Sequence, residues 1–518
     1  MPTWSGPDTR AGCRSGAGRR VERMSQQPVT RSIPLSEQHR WRAYWVCVAV
    51  AALTILDLSK VNVGLPSIED ALGAGSTELQ LIVAGYVLTF GLTLVPAGRI
   101  GDQRSRKLLF VIGLSLFTLT SLAAALAPTI EVLLIARLLQ GVAAGIQMPQ
   151  VLGLIQELFH GAERGKAFGL FGATIGLATA FGPTLGGLTI AIGGSEDGWR
   201  GIFWMNVPLA LIAIALALWL LPETRHPSKQ PLSLDPVGLG LFAVTVVSLM
   251  WPFLFTTGSP SDNPARWWVL VVFVLALTAF IAWERRYAAS GRHPLVPLAL
   301  FGVGSYRNGA ALASVYFAAM PSMFLLTTLY LQHGLGLEAV FAGMVGIGFA
   351  LLSAVGSWVG GNLVNRIGRP LVVWGLVILM VGIALLVLFA FVTPPEVTPW
   401  AMAGAMTIGG VGGGLVISPN QTLTLADIPV RQGGLAGSVG QLGQRIGTAI
   451  GTAVTLSLFY STIFRESGGS PDLAVYHDAY GVGMLAVAIF VAIAFGIGVA
   501  DLAARRRERS ALGAPAQA

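Results

Sequence analysis

The segment GRIGDQRSRK at residues 98–107 recurs in altered form as GNLVNRIGRP at residues 361–370. Each copy begins with glycine, has an Asp or Asn four positions later, and places basic residues before the next apolar stretch. Both copies follow apolar stretches of roughly 20 residues or more, which is long enough for a helix to cross a bilayer. The repeat therefore predicts a membrane protein built from two related halves.

The composition of the whole chain agrees with a protein embedded in lipid. Of its 518 residues, 54% are hydrophobic and only 11% are charged, whereas soluble domains carry about 25% charged residues. The calculated isoelectric point of about 9.8 is high, but the Lys and Arg residues lie in short clusters between apolar stretches. This pattern favours loops on one side of a membrane over a nucleic-acid-binding surface.

Hydropathy predicts fourteen membrane-spanning helices. The predicted spans are 43–65, 78–98, 107–127, 131–156, 165–192, 201–221, 235–256, 267–285, 308–332, 339–364, 370–392, 398–425, 433–462 and 480–503. Basic residues concentrate in alternate loops and acidic residues in the others, which predicts that both termini are cytoplasmic. If spans 7 and 8 are an insertion, each copy of the repeat follows the second helix of a six-helix half.

The expected fold class is therefore an all-α polytopic membrane protein with two six-helix halves and two inserted helices. The predicted organisation is a disordered cytoplasmic tail at 1–41, an N-terminal half at 42–225, inserted helices with linkers at 226–300, a C-terminal half at 301–504 and a cytoplasmic tail at 505–518. Met24 is an alternative start to Met1, because nothing before it has the composition of a folded segment.

The first copy of the repeat resembles the signature loop between helices 2 and 3 of major facilitator transporters, with Gln103 and Ser105 replacing the usual Arg and Gly. Asp102, near the start of helix 3, can meet the positive end of that helix and a neighbouring guanidinium. The resemblance implies a cytoplasmic latch between the halves. The candidate latch residues are Gly98, Asp102, Arg104, Arg106, Asn365 and Arg366. A plain basic loop that sets topology is the alternative, but it explains the arginines without explaining Gly98 and Asp102.

Helix 5 contains the run GPTLGG at residues 182–187. Small residues let helices approach closely, and proline bends a helix by freeing a carbonyl. The run resembles the antiporter signature of drug exporters, which favours export over uptake. Its candidate residues are Gly169, Gly182, Pro183, Gly186 and Gly187. A tightly packed helix without a coupling role is the alternative.

Helix 4 contains Arg137 and Gln140 in the stretch LLIARLLQG at residues 133–141. An arginine inside a membrane span is costly and suggests a function, and a separation of three places both side chains on one helix face. The stretch resembles a family motif whose arginine is implicated in proton coupling. The alternative is that Arg137 snorkels to the outer interface near Glu131.

Helix 1 contains Asp57 and Lys60 in LDLSKVNVGLP at residues 56–66, which also resembles a family motif apart from Lys60 and Gly64. At a separation of three, the two side chains are predicted to face and neutralise each other. Asp57 is therefore a candidate for proton coupling or for a substrate-responsive ion pair, and a purely structural pair is the alternative.

Other stretches look like those of fourteen-helix drug:proton antiporters of this superfamily. They are WRGIFWMNVP at 199–208, LPETR at 221–225, HPLVP at 293–297, GGVGGG at 409–414 and SPN at 418–420. Arg445 is a further charge inside a span, with a role in proton coupling or substrate binding as one interpretation and a helix-packing ion pair as the other.

The resemblance implies a proton-coupled exporter of drug-like or amphipathic molecules that works by alternating access in the plasma membrane as a monomer. Its partners would be the small-molecule substrate, protons and membrane lipid, with no nucleic acid. The expected cavity lies among Asp57, Arg137, Gln140, Gln147, Tyr316, Asn420 and Gln444. Export of an endogenous metabolite, lipid or antibiotic, uptake by symport, and a non-transporting sensor or scaffold are the alternatives.

Enzymatic activity is not expected. The sequence contains no phosphate-binding loop that ends in Lys-Ser or Lys-Thr, so nothing predicts ATP hydrolysis. The six histidines are scattered without metal-ligand spacing. We therefore expect no cofactor, no metal and no catalytic residues.

Overall fold

The computed structural model describes residues 36–223, 235–255, 263–292, 294–466 and 472–513. Within these ranges, fourteen helices are long and apolar enough to cross a membrane, which confirms the predicted number of spans. We number them α1 to α14: Glu37–Leu72, Glu78–Gln103, Arg106–Ala125, Ile130–Leu158, Gly161–Gly194, Asp197–Leu220, Pro236–Leu254, Pro264–Ala289, Gly304–Gly334, Phe341–Ile367, Arg369–Val392, Thr398–Thr424, Val430–Glu466 and Leu473–Arg505.

The two predicted tails fall only partly within the described residues. Residues 1–35 and 514–518 lie outside them, as do most of the linker at 224–234 and His293. Residues 37–41 belong to α1, where Arg40 forms an ion pair of 2.8 Å with Glu163 at the start of α5. The helix that contains α14 continues to Gly513.

Each six-helix half buries an apolar core of its own. One large cluster, which includes Tyr44, Phe90 and Phe110, is centred on α1–α6 and extends to α7, α8, α9 and α13. A second cluster, which includes Met323 and Leu379, lies among α9–α14. Helix α7 packs on α2 and α13, and α8 packs on α7. The fold is thus the expected bundle of two six-helix halves with two inserted helices.

The halves meet where α5 packs on α10 and α2 packs on α13. Glycines permit both approaches: a Cβ atom at Gly361 would lie 2.5 Å from the carbonyl oxygen of Gly165 and 2.6 Å from Cα of Gly169. A Cβ atom at Gly98 would lie 2.9 Å from the carbonyl oxygen of Gly434. We call this end of the bundle, which carries both copies of the repeat, the basic end.

Candidate functional site

A buried ion pair lies in the interior of the N-terminal half. Nη1 of Arg137 on α4 lies 2.8 Å from Oδ2 of Asp57 on α1, and both side chains are 0% exposed. The Arg137 guanidinium also covers the ring of Tyr86 on α2, with its carbon 4.2 Å from the ring centroid. Because a charge buried in a membrane is costly unless it is compensated, this pair fixes the relative positions of three helices.

Neutral polar groups extend the ion pair into a network. Arg137 donates a second hydrogen bond of 2.7 Å to Oε1 of Gln140, whose amide donates to Ser121 at 2.8 Å. On the other side, Asn206 on α6 donates to Oδ1 of Asp57 at 2.6 Å. Both carboxylate oxygens of Asp57 therefore have a donor.

Lys60 joins the same network without touching Asp57. Its ammonium donates to Oδ1 of Asn206 at 2.6 Å and to the carbonyl oxygen of Ile202 at 2.8 Å. The predicted direct pairing of Asp57 with Lys60 is therefore wrong, because Asn206 stands between the two charges and Arg137 is the ion-pair partner of Asp57. When its members are ionised, the network carries two positive charges against one negative charge.

The interpretation that Arg137 snorkels to the membrane interface is also wrong, because the side chain is fully buried and paired. Sequence reasoning missed two members of the network, Ser121 and Asn206. Asn206 stands in the motif-like stretch at 199–208, as a polar residue inside an apolar span, and that position was a usable signal. Ser121 is an ordinary polar residue in a long apolar helix, so the sequence gives no signal for it.

The first copy of the repeat contacts the opposite half at the basic end. Asp102, at the end of α2, accepts hydrogen bonds from the backbone amides of Gly434 at 3.1 Å and Leu435 at 2.8 Å, near the start of α13. A carboxylate at the start of a helix satisfies free amides and complements the helix dipole. Asp102 thereby caps a helix that belongs to the other half.

Arg106 completes this contact. Its Nη2 lies 2.8 Å from Oδ1 of Asp102 and donates to the carbonyl oxygen of Val430 at 2.8 Å. Its Nη1 lies 2.9 Å from Oε2 of Glu157 on α4. The buried guanidinium thus joins α2, α3 and α4 to the first residue of α13.

The second copy of the repeat makes a weaker contact between the halves. Asn365 donates one hydrogen bond of 3.3 Å to the carbonyl oxygen of Ala162 at the start of α5. Arg369, the counterpart of Arg106, instead stays within its own half, where it lies 2.5 Å from Asp501 on α14 and donates to Asn420 on α12 at 2.5 Å. Sequence reasoning missed Arg369 and Asp501 as a buried pair.

The structure brings only some of the candidate latch residues together. Gly98, Asp102, Arg106 and Asn365 lie at the contacts between the halves, whereas Arg104 and Arg366 are exposed. The expected participation of Arg104 and Arg366 is not observed, because each lies on the outer side of its segment, one before the start of α3 and the other on the last turn of α10.

The glycines of the helix 5 run lie against α1, beside the buried network. Cβ atoms at Gly182 and Gly186 would contact Ser59 and Lys60 respectively, with the carbonyl oxygen of Lys60 at 3.0 Å from the latter. Pro183 is exposed, and Gly187 has no neighbour within 4 Å of a Cβ position. Gly169, upstream, packs instead on α10, where its Cβ position is 2.9 Å from the carbonyl oxygen of Ser357.

A cavity of about 870 Å³ lies between the halves. It extends from Leu152 and Phe168 in the interior to residues near the end opposite the basic end, such as Gln80 and Tyr460. Its volume is within the range of about 300–1,000 Å³ typical of small-molecule sites. The lining is mainly apolar and includes Met148.

The expected cavity residues divide into two groups. Tyr316, Asn420 and Gln444 line the cavity. Asp57, Arg137, Gln140 and Gln147 do not, because they are 0% exposed and lie behind its wall. The rotation of α1 about its own axis explains this outcome. Leu58, Ser59 and Asn62 face the cavity, whereas Asp57 and Lys60 point into the N-terminal half.

Arg445 on α13 also lines the cavity. Its guanidinium carbon lies 4.8 Å from the ring centroid of Phe90 on α2. The alternative in which Arg445 forms a helix-packing ion pair is not observed, because no carboxylate lies within 4 Å of it in the part of the chain that the structure describes.

Residues 47–452 match the family model described as Major Facilitator Superfamily. The chain is 32% identical over 435 residues to a probable actinorhodin transporter of Streptomyces coelicolor, an alignment that covers 84% of this chain and 75% of that one. It is 32% identical over 499 residues to a puromycin resistance protein of Streptomyces alboniger, covering 93% and 94% of the two chains. A multidrug resistance protein of Mycobacterium tuberculosis is 31% identical, with coverages of 78% and 72%.

Two solved structures share the fold. A human organic anion transporter superposes with a TM-score of 0.60 at 13% identity, covering 89% of this chain and 99% of that chain. A proton:xylose symporter superposes with a TM-score of 0.57 at 17% identity, covering 88% and 96%. At these identities the similarity supports the arrangement of helices alone.

Proposed function

Since the chain belongs to the major facilitator superfamily and is an integral multi-pass membrane transporter, we propose that it is a proton-coupled exporter of drug-like or amphipathic small molecules. The observation that carries this proposal is the 870 Å³ cavity between two halves that meet at one end. The names of the relatives, which refer to resistance and antibiotic transport, favour such compounds as substrates. Export of an antibiotic made by the same cell is the second candidate, because one relative is a probable actinorhodin transporter.

The basic end faces the cytoplasm in this proposal, and the membrane is the plasma membrane. The loops at this end carry Arg104, Arg366 and Arg431, all exposed, and basic loops remain on the cytoplasmic side. Both termini are then cytoplasmic. The contacts of Asp102 and Asn365 close the cytoplasmic side, and the cavity gives access from outside.

Asp57 is the proposed proton carrier. Protonation of Oδ2 would remove the attraction that holds Arg137, which would then shift towards Gln140 and the carbonyl oxygen of Ile82, its other partners. The change would reach the cavity through α1, whose opposite face includes Leu58 and Ser59. Each proton that enters supplies about 2.3 kcal/mol per 100 mV of membrane potential.

A proton-flux assay tests this proposal. Inverted membrane vesicles that contain the protein are energised by respiration, and the acid interior is followed with a pH-sensitive dye while puromycin, tetracenomycin C or methylenomycin A is added. We expect at least one compound to dissipate the proton gradient in the native protein and none to do so in Asp57→Asn. Asp197→Asn, which alters an exposed carboxylate at the opposite end, is the matched control.

The outcomes separate the parts of the proposal. If the Asp57→Asn variant dissipates the proton gradient at the native rate, Asp57 is not the proton carrier and another group transfers the proton. If compounds are exported without any movement of protons, the protein is a transporter but not an antiporter.

A further inference from the structure

Arg445 is half-buried and differs from three fully buried arginines of the bundle in what it contacts. Arg106, Arg137 and Arg369 each have a carboxylate within 2.9 Å, namely Glu157 or Asp102, Asp57 and Asp501. Within the described ranges, Arg445 has no hydrogen-bond or ion-pair partner, and its Nε is buried without an acceptor. Its guanidinium lies over the face of Phe90.

The cavity wall has no charge that balances Arg445. Among the described residues that line the cavity, Arg445 is the single ionisable acid or base apart from the phenols Tyr316 and Tyr460. The network of Asp57, Lys60 and Arg137 lies behind the cavity wall, and when its members are ionised it carries an excess of one positive charge. The cavity is therefore electropositive, and in a medium of low dielectric constant this field is weakly screened.

Other polar groups in the cavity wall also have unused hydrogen-bonding capacity. The hydroxyl groups of Tyr316 and Ser418 and Oε1 of Gln441 are buried without a partner, and all three residues line the cavity. Buried polar groups normally have a partner. The two hydroxyl groups can donate to an anion, whereas the Gln441 oxygen can only accept. Two unused hydroxyl donors and one unpaired guanidinium, in the wall of an otherwise apolar cavity, are the composition of a site for an anion attached to an apolar body.

We infer that the central cavity selects amphipathic weak acids, and that Arg445 binds their carboxylate, phenolate or other anionic group. This inference rests on the proposed function and names its substrate class. An anion gains a charge-assisted contact at Arg445, whereas a cation of the same size must be buried beside an uncompensated positive charge. Exported compounds should therefore be neutral or acidic, and permanently cationic compounds should be excluded.

A pair of dyes with the same ring system tests the inference. The native protein is reconstituted in liposomes with an imposed pH gradient, and the initial rates for fluorescein, an anion, and rhodamine 123, a cation, are compared after subtraction of protein-free liposomes. We expect the native protein to carry fluorescein at least about tenfold faster than rhodamine 123, since a charge-assisted hydrogen bond commonly changes affinity by this factor or more.

Variants then assign the preference to Arg445. Arg445→Gln should lower the fluorescein rate roughly tenfold at subsaturating dye, and Arg445→Lys should restore part of it. Arg465→Gln, on the same helix but with a 71% exposed side chain, is the matched control and should leave both rates unchanged. A single symmetric peak on size-exclusion chromatography confirms that each variant is folded.

The outcomes distinguish this inference from the proposed function. Gradient-driven transport of rhodamine 123 in preference to fluorescein would overturn the inference while supporting the exporter. A native preference for fluorescein that survives in Arg445→Gln would overturn the assignment to Arg445. If the protein transports neither dye and none of puromycin, tetracenomycin C and methylenomycin A, the proposed exporter function is wrong. The inference, which rests on that function, is then wrong as well.

Discussion

The two copies of the repeated loop place the same residue type in different roles. Arg106 and its neighbour Asp102 both contact α13 in the opposite half. Arg369 is the equivalent arginine of the second copy, but its partners Asp501 and Asn420 belong to its own half. One copy therefore connects the halves through charges, and the other uses its charge to hold one half together.

The difference follows from the residue four positions after the first glycine. Asp102 attracts two free amides at the start of a helix across the interface, whereas Asn365 offers a neutral amide to one carbonyl oxygen. A charge-assisted hydrogen bond is about twice as strong as a neutral one. We therefore propose that the first copy locks the basic end and that the second copy stabilises its own half.

The largest expected effect is on stability, in Arg369→Met. Asp501 is 3% exposed, and after this change it would keep only Arg505 and Asn308 as partners. Removing one member of a buried ion pair typically costs about 3–5 kcal/mol, so we expect a markedly lower unfolding temperature in detergent. Arg366→Met, which alters an exposed arginine of the same loop, should melt like the native protein. Equal melting of the two variants would refute a structural role for Arg369.

A smaller effect is expected on the conformational equilibrium, in Asp102→Asn. The change removes the ion pair with Arg106 and weakens the caps on Gly434 and Leu435, at a cost of about 1–2 kcal/mol. This should raise the population that is open at the basic end roughly tenfold. Spin labels at Arg104→Cys and Arg431→Cys, in a background with Cys13 and Cys47 replaced by serine, would report longer distances.

A control for this measurement is available at the same end of the bundle. Asp427→Asn alters an exposed carboxylate, so its spin-label distances should match those of the native protein. If Asp102→Asn gave the same distances as Asp427→Asn, the lock assigned to the first copy would not exist.

The smallest effect is expected for Asn365→Ala. Its hydrogen bond is 3.3 Å long and exposed, so its loss should cost less than about 0.5 kcal/mol. The same spin labels should show the native distances, and the unfolding temperature should be unchanged. A shift as large as that of Asp102→Asn would mean that the two copies share the locking role equally.

Features that depend on a continuous stretch of sequence could be predicted. A helix that crosses a membrane must be apolar along its whole length, so hydropathy was sufficient to predict the fourteen spans. Asp102 stands in a short motif, from which a contact with the start of α3 was predicted, but the amides that it meets belong to the start of α13. The partner helix, α13, was not predictable, because it lies more than three hundred residues further along the chain.

The partners of buried charges were the least predictable part of the site. A separation of three residues made Lys60 the natural partner of Asp57, but Arg137 and Asn206, on other helices, meet its two oxygens. The positions of Asp57 and Arg137 behind the cavity wall were missed for a related reason, since hydropathy does not give the rotation of a helix about its own axis. The motifs thus identified the charged residues of the network, and tertiary packing decided which of them meet and which neutral residues join them.

The contact between Gly361 and the backbone of Gly165 and Gly169 has a consequence for the motion of the halves. Two backbones touch there without side chains, so sliding needs no rotamer change and breaks no ion pair. A methyl group at this position would wedge the helices apart, since its carbon would sit 2.5 Å from a carbonyl oxygen. Gly361→Ala should therefore trap the transporter with its basic end open, and the spin labels at positions 104 and 431 would detect that trapped state without any change in charge.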